Sequence, residues 1–130
     1  MKRDVDLERD ILLAIEAHDD PRAFVSFDDL AARSGQPLDQ IGYQVGLLHE
    51  AGLVVAVDTR AQDDPYGWSA DRLTYAGHVH LDAIRDPETW RRAKEGARKI
   101  GDFSAETLGE LAKAIVRKKI KDWTEGGFDL

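Results

Sequence analysis

Ser34-Gly35-Gln36-Pro37 is the stretch on which the fold turns. Gly accepts the left-handed backbone that closes a helix, and Pro brings a preset φ and no amide hydrogen to a first turn that needs none. One helix therefore stops here and another opens. On the upstream side, Ser26 followed by Asp28-Asp29-Leu30 resembles a helix start with acids in its first turn. On the downstream side, Leu38, Ile41, Val45 and Leu48 step by three, four and three, and Gly52 is placed to cap the run. Two helices across so short a turn form a helix-turn-helix.

Working outward, Leu7, Ile11 and Ile15 recur every fourth residue with Leu12 beside them, which predicts a helix over 6–17 that ends before Asp19-Asp20-Pro21. Phe24-Val25-Ser26-Phe27 is short and apolar. Past Gly52, Leu53-Val54-Val55-Ala56-Val57 is a β-branched run too short for a helix, and Asp71-Arg72-Leu73-Thr74 offers a second brief strand. The turn-rich segment between them, Ala61-Gln62-Asp63-Asp64-Pro65-Tyr66-Gly67-Trp68, makes the pair a hairpin. A hairpin behind a helix-turn-helix is the layout of a winged helix. Thr74 can cap a fourth helix through Ile84 that covers the hairpin. Trp90, Ala93, Ala97 and Ile100 mark a fifth helix ended by Gly101. Ser104 caps a sixth, at about 105–124, carrying Leu108, Leu111, Ala112, Ile115, Val116, Ile120 and Trp123; it would span ~30 Å. The expected fold is mainly α with a small β-hairpin: a winged helix-turn-helix core over 1–85 and a two-helix extension over 86–130.

Charge divides near Asp86-Pro87 in the same way. Residues 1–85 carry 8 basic and 16 acidic side chains, and residues 86–130 carry 10 and 9, within a total net charge of −7 over 130 residues. That acidity opposes non-specific adhesion to nucleic acid or anionic lipid. With no cysteine, disulfides, thiolate zinc sites and iron–sulfur clusters are excluded. No run of 18 apolar residues occurs and the opening Met1-Lys2-Arg3-Asp4-Val5-Asp6 lacks an apolar stretch, so a cytoplasmic protein without membrane attachment is expected. Gly126-Gly127-Phe128-Asp129-Leu130 reads as a loose tail.

Met1-Lys2-Arg3-Asp4-Val5-Asp6-Leu7, Leu47-Leu48-His49-Glu50-Ala51-Gly52-Leu53, Leu73-Thr74-Tyr75-Ala76-Gly77-His78 and Leu81-Asp82-Ala83-Ile84-Arg85-Asp86, with Trp90 downstream, resemble domain-of-unknown-function family 2513 in order over most of the chain. The first block is the specific one; the second and third are shared by many winged-helix proteins. The resemblance implies a small phage, prophage or bacterial protein with a winged-helix core and a helical extension. It implies no established activity and carries over no site residue. Tyr75 stands where Trp is more frequent, a departure that bears on packing.

Three groups of residues are candidates for function. In a DNA-reading helix-turn-helix the second helix enters the major groove, where Gln can pair with adenine. Gln40, Tyr43 and Gln44 are its expected outward positions here. Residues 36–52 nevertheless hold no Lys or Arg and do hold Asp39 and Glu50, and Asp63 and Asp64 of the wing would face phosphates. Acidity thus disfavours DNA at that helix and at the wing. The second group is a basic ridge: Lys113, Arg117 and Lys121 stand four apart with Lys118 and Lys119 beside them, and no acid occurs from Leu111 to Lys121. The ridge could hold phosphates or an acidic partner, or be a solvated face with cations near a helix C-terminus. Third, Tyr66 and Trp68 of the wing could anchor a partner or fold back onto the hairpin. His78 and Asp82 lie one helical turn apart with His80 on another face, so they do not converge as metal ligands would. No catalytic residue, metal site or cofactor is expected. The leading expectation is a non-enzymatic, DNA-linked regulator, the alternative a protein-interaction module that inhibits or redirects a host protein, with a homodimer formed through the last helix.

Overall fold

In the computed structural model, which describes residues 1–60, 63 and 66–126, Gly35 closes one helix with a left-handed backbone (φ 71°) and Pro37 stands as the N-cap of the next. The described residues form six helices and one two-stranded antiparallel sheet: α1 (Val5–Ala17), α2 (Asp28–Ser34), α3 (Leu38–Glu50), β1 (Val54–Asp58), β2 (Trp68–Leu73), α4 (Tyr75–Ile84), α5 (Pro87–Ile100) and α6 (Ala105–Glu125). None of these helices is long and apolar enough to cross a membrane.

The chain divides into two units, Met1–Leu81 and Asp82–Leu130. In the first, α1, α2 and α3 pack on one another and α1 and α3 pack on the sheet. Its core is Ile11, Leu12, Phe27, Leu30, Ile41, Val45 and Val54, all almost fully buried. Ile11, Leu12, Ile41 and Val45 among them stand on the periodic stripes of the sequence, as expected when an apolar stripe buries roughly 1.5–3 kcal/mol per large side chain.

The second strand starts at Trp68, three residues before the Asp71 that sequence suggests, because Trp68, Ser69 and Ala70 pair with Asp58, Val57 and Ala56. A register shift between Val55 and Ala56 bulges the ladder, so the polar Asp71 falls outside the alternation. The helix after Ser26 also starts one residue late, with Phe27 as its N-cap and no side-chain cap bond. Two pieces of the sequence, Ala51-Gly52-Leu53 and Leu73-Thr74-Tyr75-Ala76-Gly77, meet in space. Gly52 turns at φ 78°, Thr74 donates its hydroxyl to the Gly52 carbonyl at 2.6 Å, and the same oxygen accepts from the Gly77 amide at 2.9 Å as the cap of α4. A Cβ on Gly77 would lie 1.9 Å from the Leu53 carbonyl oxygen, so only glycine lets α4 approach the Leu53 backbone this closely. Tyr75 is 85% exposed, so its departure from Trp has little packing to alter.

In the second unit α5 and α6 pack together as a helical hairpin. Asp86 caps α5 through the Thr89 amide at 2.8 Å, and Ser104 caps α6 through the Thr107 amide at 3.1 Å. Trp90, Ala93 and Ala97 of α5 and Leu108 and Ala112 of α6 are buried. Ile100, expected among them, is 63% exposed: it is the last residue of α5, where the helix gives way to Gly101. The expected tail residues 127–130 lie outside the described residues, as do Ala61, Gln62, Asp64 and Pro65 of the expected wing loop.

Candidate functional site

The outer surface of α3 is where the sequence places base-reading residues, and the structure gives most of it to the chain itself. Gln44 does not face outward. It is fully buried, its Oε1 accepting from the Asp4 amide at 3.0 Å and its Nε2 donating to the Lys2 carbonyl at 2.8 Å. Gln40, one turn earlier, donates to the same Lys2 carbonyl at 3.1 Å. The physical reason is that residues 2–4 run alongside α3 as an extended segment whose polar backbone needs partners, and two glutamine amides supply them. Asp4 then caps α1 by accepting from the Leu7 amide at 3.1 Å, and Arg3 meets the buried Glu8 carboxylate at 3.1 Å. Burial pushes the Glu8 carboxyl above its usual range, an effect that the Arg3 charge opposes.

The hairpin covers a second side of α3. Gly42 and Gly46 stand one turn apart, and a Cβ on Gly42 would lie 1.3 Å from the Tyr66 carbonyl oxygen, one on Gly46 2.6 Å from the Trp68 indole nitrogen. Trp68 is half-buried, with the His49 ring 5.2 Å away and the Arg60 guanidinium 5.9 Å from its own ring. Tyr66 accepts from the Phe27 amide at 3.2 Å, donates to Asp28 at 3.3 Å and sets its ring edge-on to Phe27 at 5.8 Å. Both aromatics fold back onto their own unit. The small residues at 42 and 46 were the signal for this: a helix with glycine at i and i+4 leaves a groove into which another element can settle.

What α3 still shows is Asp39, Tyr43 at 39% exposure, His49 and Glu50. Met1, Asp39, Tyr43, Arg60, Asp63, Tyr66, Gly67 and Trp68 line a cleft of about 310 Å³ beside it. Arg60 is held there by Asp58, at 2.5 Å, whose carboxyl its hydrogen bonds lower to about 2. The cleft therefore presents aromatic faces and carboxylates, with its one arginine already paired. Its walls suit an apolar or cationic group better than a phosphate.

The ridge of the second unit is arranged differently. Lys113, Arg117, Lys118 and Lys121 are all exposed, and none makes an ion pair with another described residue. Lys119 is tied down, donating to Thr89 at 3.2 Å and lying 3.9 Å from Asp86. On α5, by contrast, Arg91 is clamped between Glu88 and Glu95, at 2.6 Å from each. Beside the ridge, Val116, Ile120 and Trp123 are 39%, 55% and 59% exposed. Sequence grouped these three with the buried Leu108 and Ala112; the structure separates them. His78 is exposed, Asp82 pairs with Arg85 at 3.3 Å, and among the described residues no group of three or more His, Asp or Glu is placed to hold a metal ion.

A family model described as "Hypothetical protein (DUF2513)" matches residues 2–103. The chain is also similar to a curated protein of Haemophilus influenzae named "Uncharacterized protein", at 31% identity over 121 residues, 92% of this chain and 99% of that one. No solved structure matches.

Proposed function

The chain belongs to the DUF2513 family, and from that premise we propose that it is a non-enzymatic winged-helix protein of phage or prophage type, working in the cytoplasm by binding another protein. The winged-helix reading is supported by the order of α1, α2, α3 and the hairpin, and by a bond from the Val25 amide to the Ala70 carbonyl at 2.9 Å. That bond lays residues 24–27 beside β2, where a winged helix has its short first strand.

The protein-partner reading is carried by the outer surface of α3. A DNA-reading helix must offer free side chains to base edges and cations to phosphates. Here Gln44 is spent on the Lys2–Asp4 backbone, Gly42 and Gly46 seat the hairpin, and the 13 residues of α3 include no Lys or Arg. Most groups with displaced pKa values fit the non-enzymatic part: Asp58 and Glu88 are in arginine pairs, Asp86 is a helix cap and Glu8 faces Arg3, while Asp10 is raised by burial against the opposing charges of Arg9 and Arg33. A second reading, DNA-linked regulation with phosphates held by Lys113, Arg117 and Lys121, is favoured only by the exposure of that ridge.

Fluorescence anisotropy with mixed-sequence duplex DNA at low salt separates the two. The protein reading expects no binding at tens of millimolar salt. Affinity that falls steeply with salt and is lost in Lys113→Ala/Arg117→Ala would overturn it in favour of the second.

A further inference from the structure

Helix α6 has 21 residues against the 14 of α5, and Lys119 already reaches the cap of α5 at Asp86. The last turns of α6 therefore outrun the helix that covers its first half. On that stretch Val116, Ile120 and Trp123 fall within about 60° of one another around the helix axis, and all three are substantially exposed. The row Lys113, Arg117, Lys121 borders this stripe on one side and Lys119 on the other. An exposed apolar stripe with Trp at one end is suited to contact rather than to solvent. Four exposed cations without ion pairs among the described residues specify the charge of whatever comes.

A second copy of the same face is a poor fit. An antiparallel pair of α6 helices would set the Lys113, Arg117, Lys121 row against itself, and a parallel pair would set it against Lys119 of the other copy. Like charges flank the seam in both arrangements, which is how helix pairs are kept from self-association. The complementary occupant has the opposite sign.

We infer that α6 docks an amphipathic helix of a partner protein whose own apolar stripe is flanked by Asp and Glu. Leu, Ile or Phe of that helix would lie over Val116, Ile120 and Trp123, and its carboxylates would reach Lys113, Arg117 and Lys121. The inference rests on the protein-partner reading and adds to it the surface and the partner's chemistry.

The test uses the full chain and three probes: a labelled synthetic amphipathic helix with Glu beside a Leu stripe, the same peptide with Lys for Glu, and duplex DNA. The Glu peptide should bind, more weakly as salt rises, and the Lys peptide should not. Arg117→Glu/Lys121→Glu should weaken the Glu peptide by roughly tenfold or more, and Ile120→Ser should weaken it separately; circular dichroism checks that these exposed positions leave the fold intact. Equal binding of both peptides, or indifference to the charge reversal, would overturn the proposal. So would binding to phosphatidylserine vesicles in place of the Glu peptide, or a dimeric mass that the charge reversal abolishes. DNA binding lost in the same variant would sink the protein reading itself. Absence of both DNA and peptide binding would sink only the α6 surface.

Discussion

Helix α3 carries no Lys or Arg and yields its outer side chains to the chain's own N-terminal segment and hairpin; α6 carries five cations between Lys113 and Lys121 and leaves four of them exposed without an ion pair among the described residues. In the first helix Gln40 and Gln44 are structural parts, and in the second Lys113, Arg117, Lys118 and Lys121 are available. The difference lies in what polar groups were left over once each unit had folded. In the first unit, extended backbone at residues 2–4 needed partners and Gln40 and Gln44 supplied them, while Gly42 and Gly46 left room for Tyr66 and Trp68. In the second, Glu88 and Glu95 satisfy Arg91 within α5, whereas of the five cations between Lys113 and Lys121 only Lys119 is in an ion pair among the described residues.

This contrast breaks if substitutions in α3 are harmless or those in α6 are not. The largest effect is expected for Gly42→Ala. Its methyl would overlap the Tyr66 carbonyl oxygen, which is backbone and cannot swing away, so denaturant unfolding should show a loss of about 3 kcal/mol or more. A silent Gly42→Ala would mean that the hairpin does not settle on α3. Next, Gln44→Ala strands the Asp4 amide and the Lys2 carbonyl and should cost about 2 kcal/mol. An outward Gln44 would cost almost nothing, and the same unfolding curve decides between them.

The acid limb of stability sharpens the account of the charges that are already used. Asp58, lowered to about 2 by Arg60, and Asp86, lowered by the Thr89 amide, both hold their charge in the folded state below the usual 3.8. Their contribution is complete above that value and is lost as pH falls toward their folded pKa. Glu8 runs the other way. Its raised pKa makes the folded state bind a proton more readily, so its share of stability grows as pH falls from neutral toward that value. Asp86→Asn keeps a capping side chain but cannot titrate. It should leave the urea midpoint at neutral pH nearly unchanged and reduce the acid loss. The smallest effect is expected for Lys113→Ala/Arg117→Ala/Lys121→Ala, within about 0.5 kcal/mol of the parent by thermal unfolding, since exposed charges without partners stabilise little.

Most of the fold could be read along the chain because the apolar residues keep helical period. Leu7, Ile11 and Ile15, or Ile41, Val45 and Leu48, are core positions by spacing alone. The turn at Ser34-Gly35 and the caps at Thr74 and Ser104 were equally legible, since each needs a specific residue type. The start of β2 was not, because Trp68, Ser69 and Ala70 become a strand only through pairing with a distant partner, and the bulge at Val55/Ala56 disturbs the alternation that sequence reading relies on. The burial of Gln44 was hidden for a related reason. A polar residue on an expected outer face is buried only when another part of the chain needs its amide, and that part lay some 40 residues away. In α6, periodicity grouped Val116, Ile120 and Trp123 with Leu108 and Ala112, because spacing gives the stripe but not the length of the helix that covers it.

The most direct test is amide chemical-shift mapping of the full chain mixed with duplex DNA at low salt. The account predicts that residues 38–50 of α3 and the Lys113–Lys121 stretch both stay unperturbed at tens of millimolar salt. Shifts centred on Gln40, Tyr43 and Gln44 would mean that α3 opens to read bases, and would contradict it.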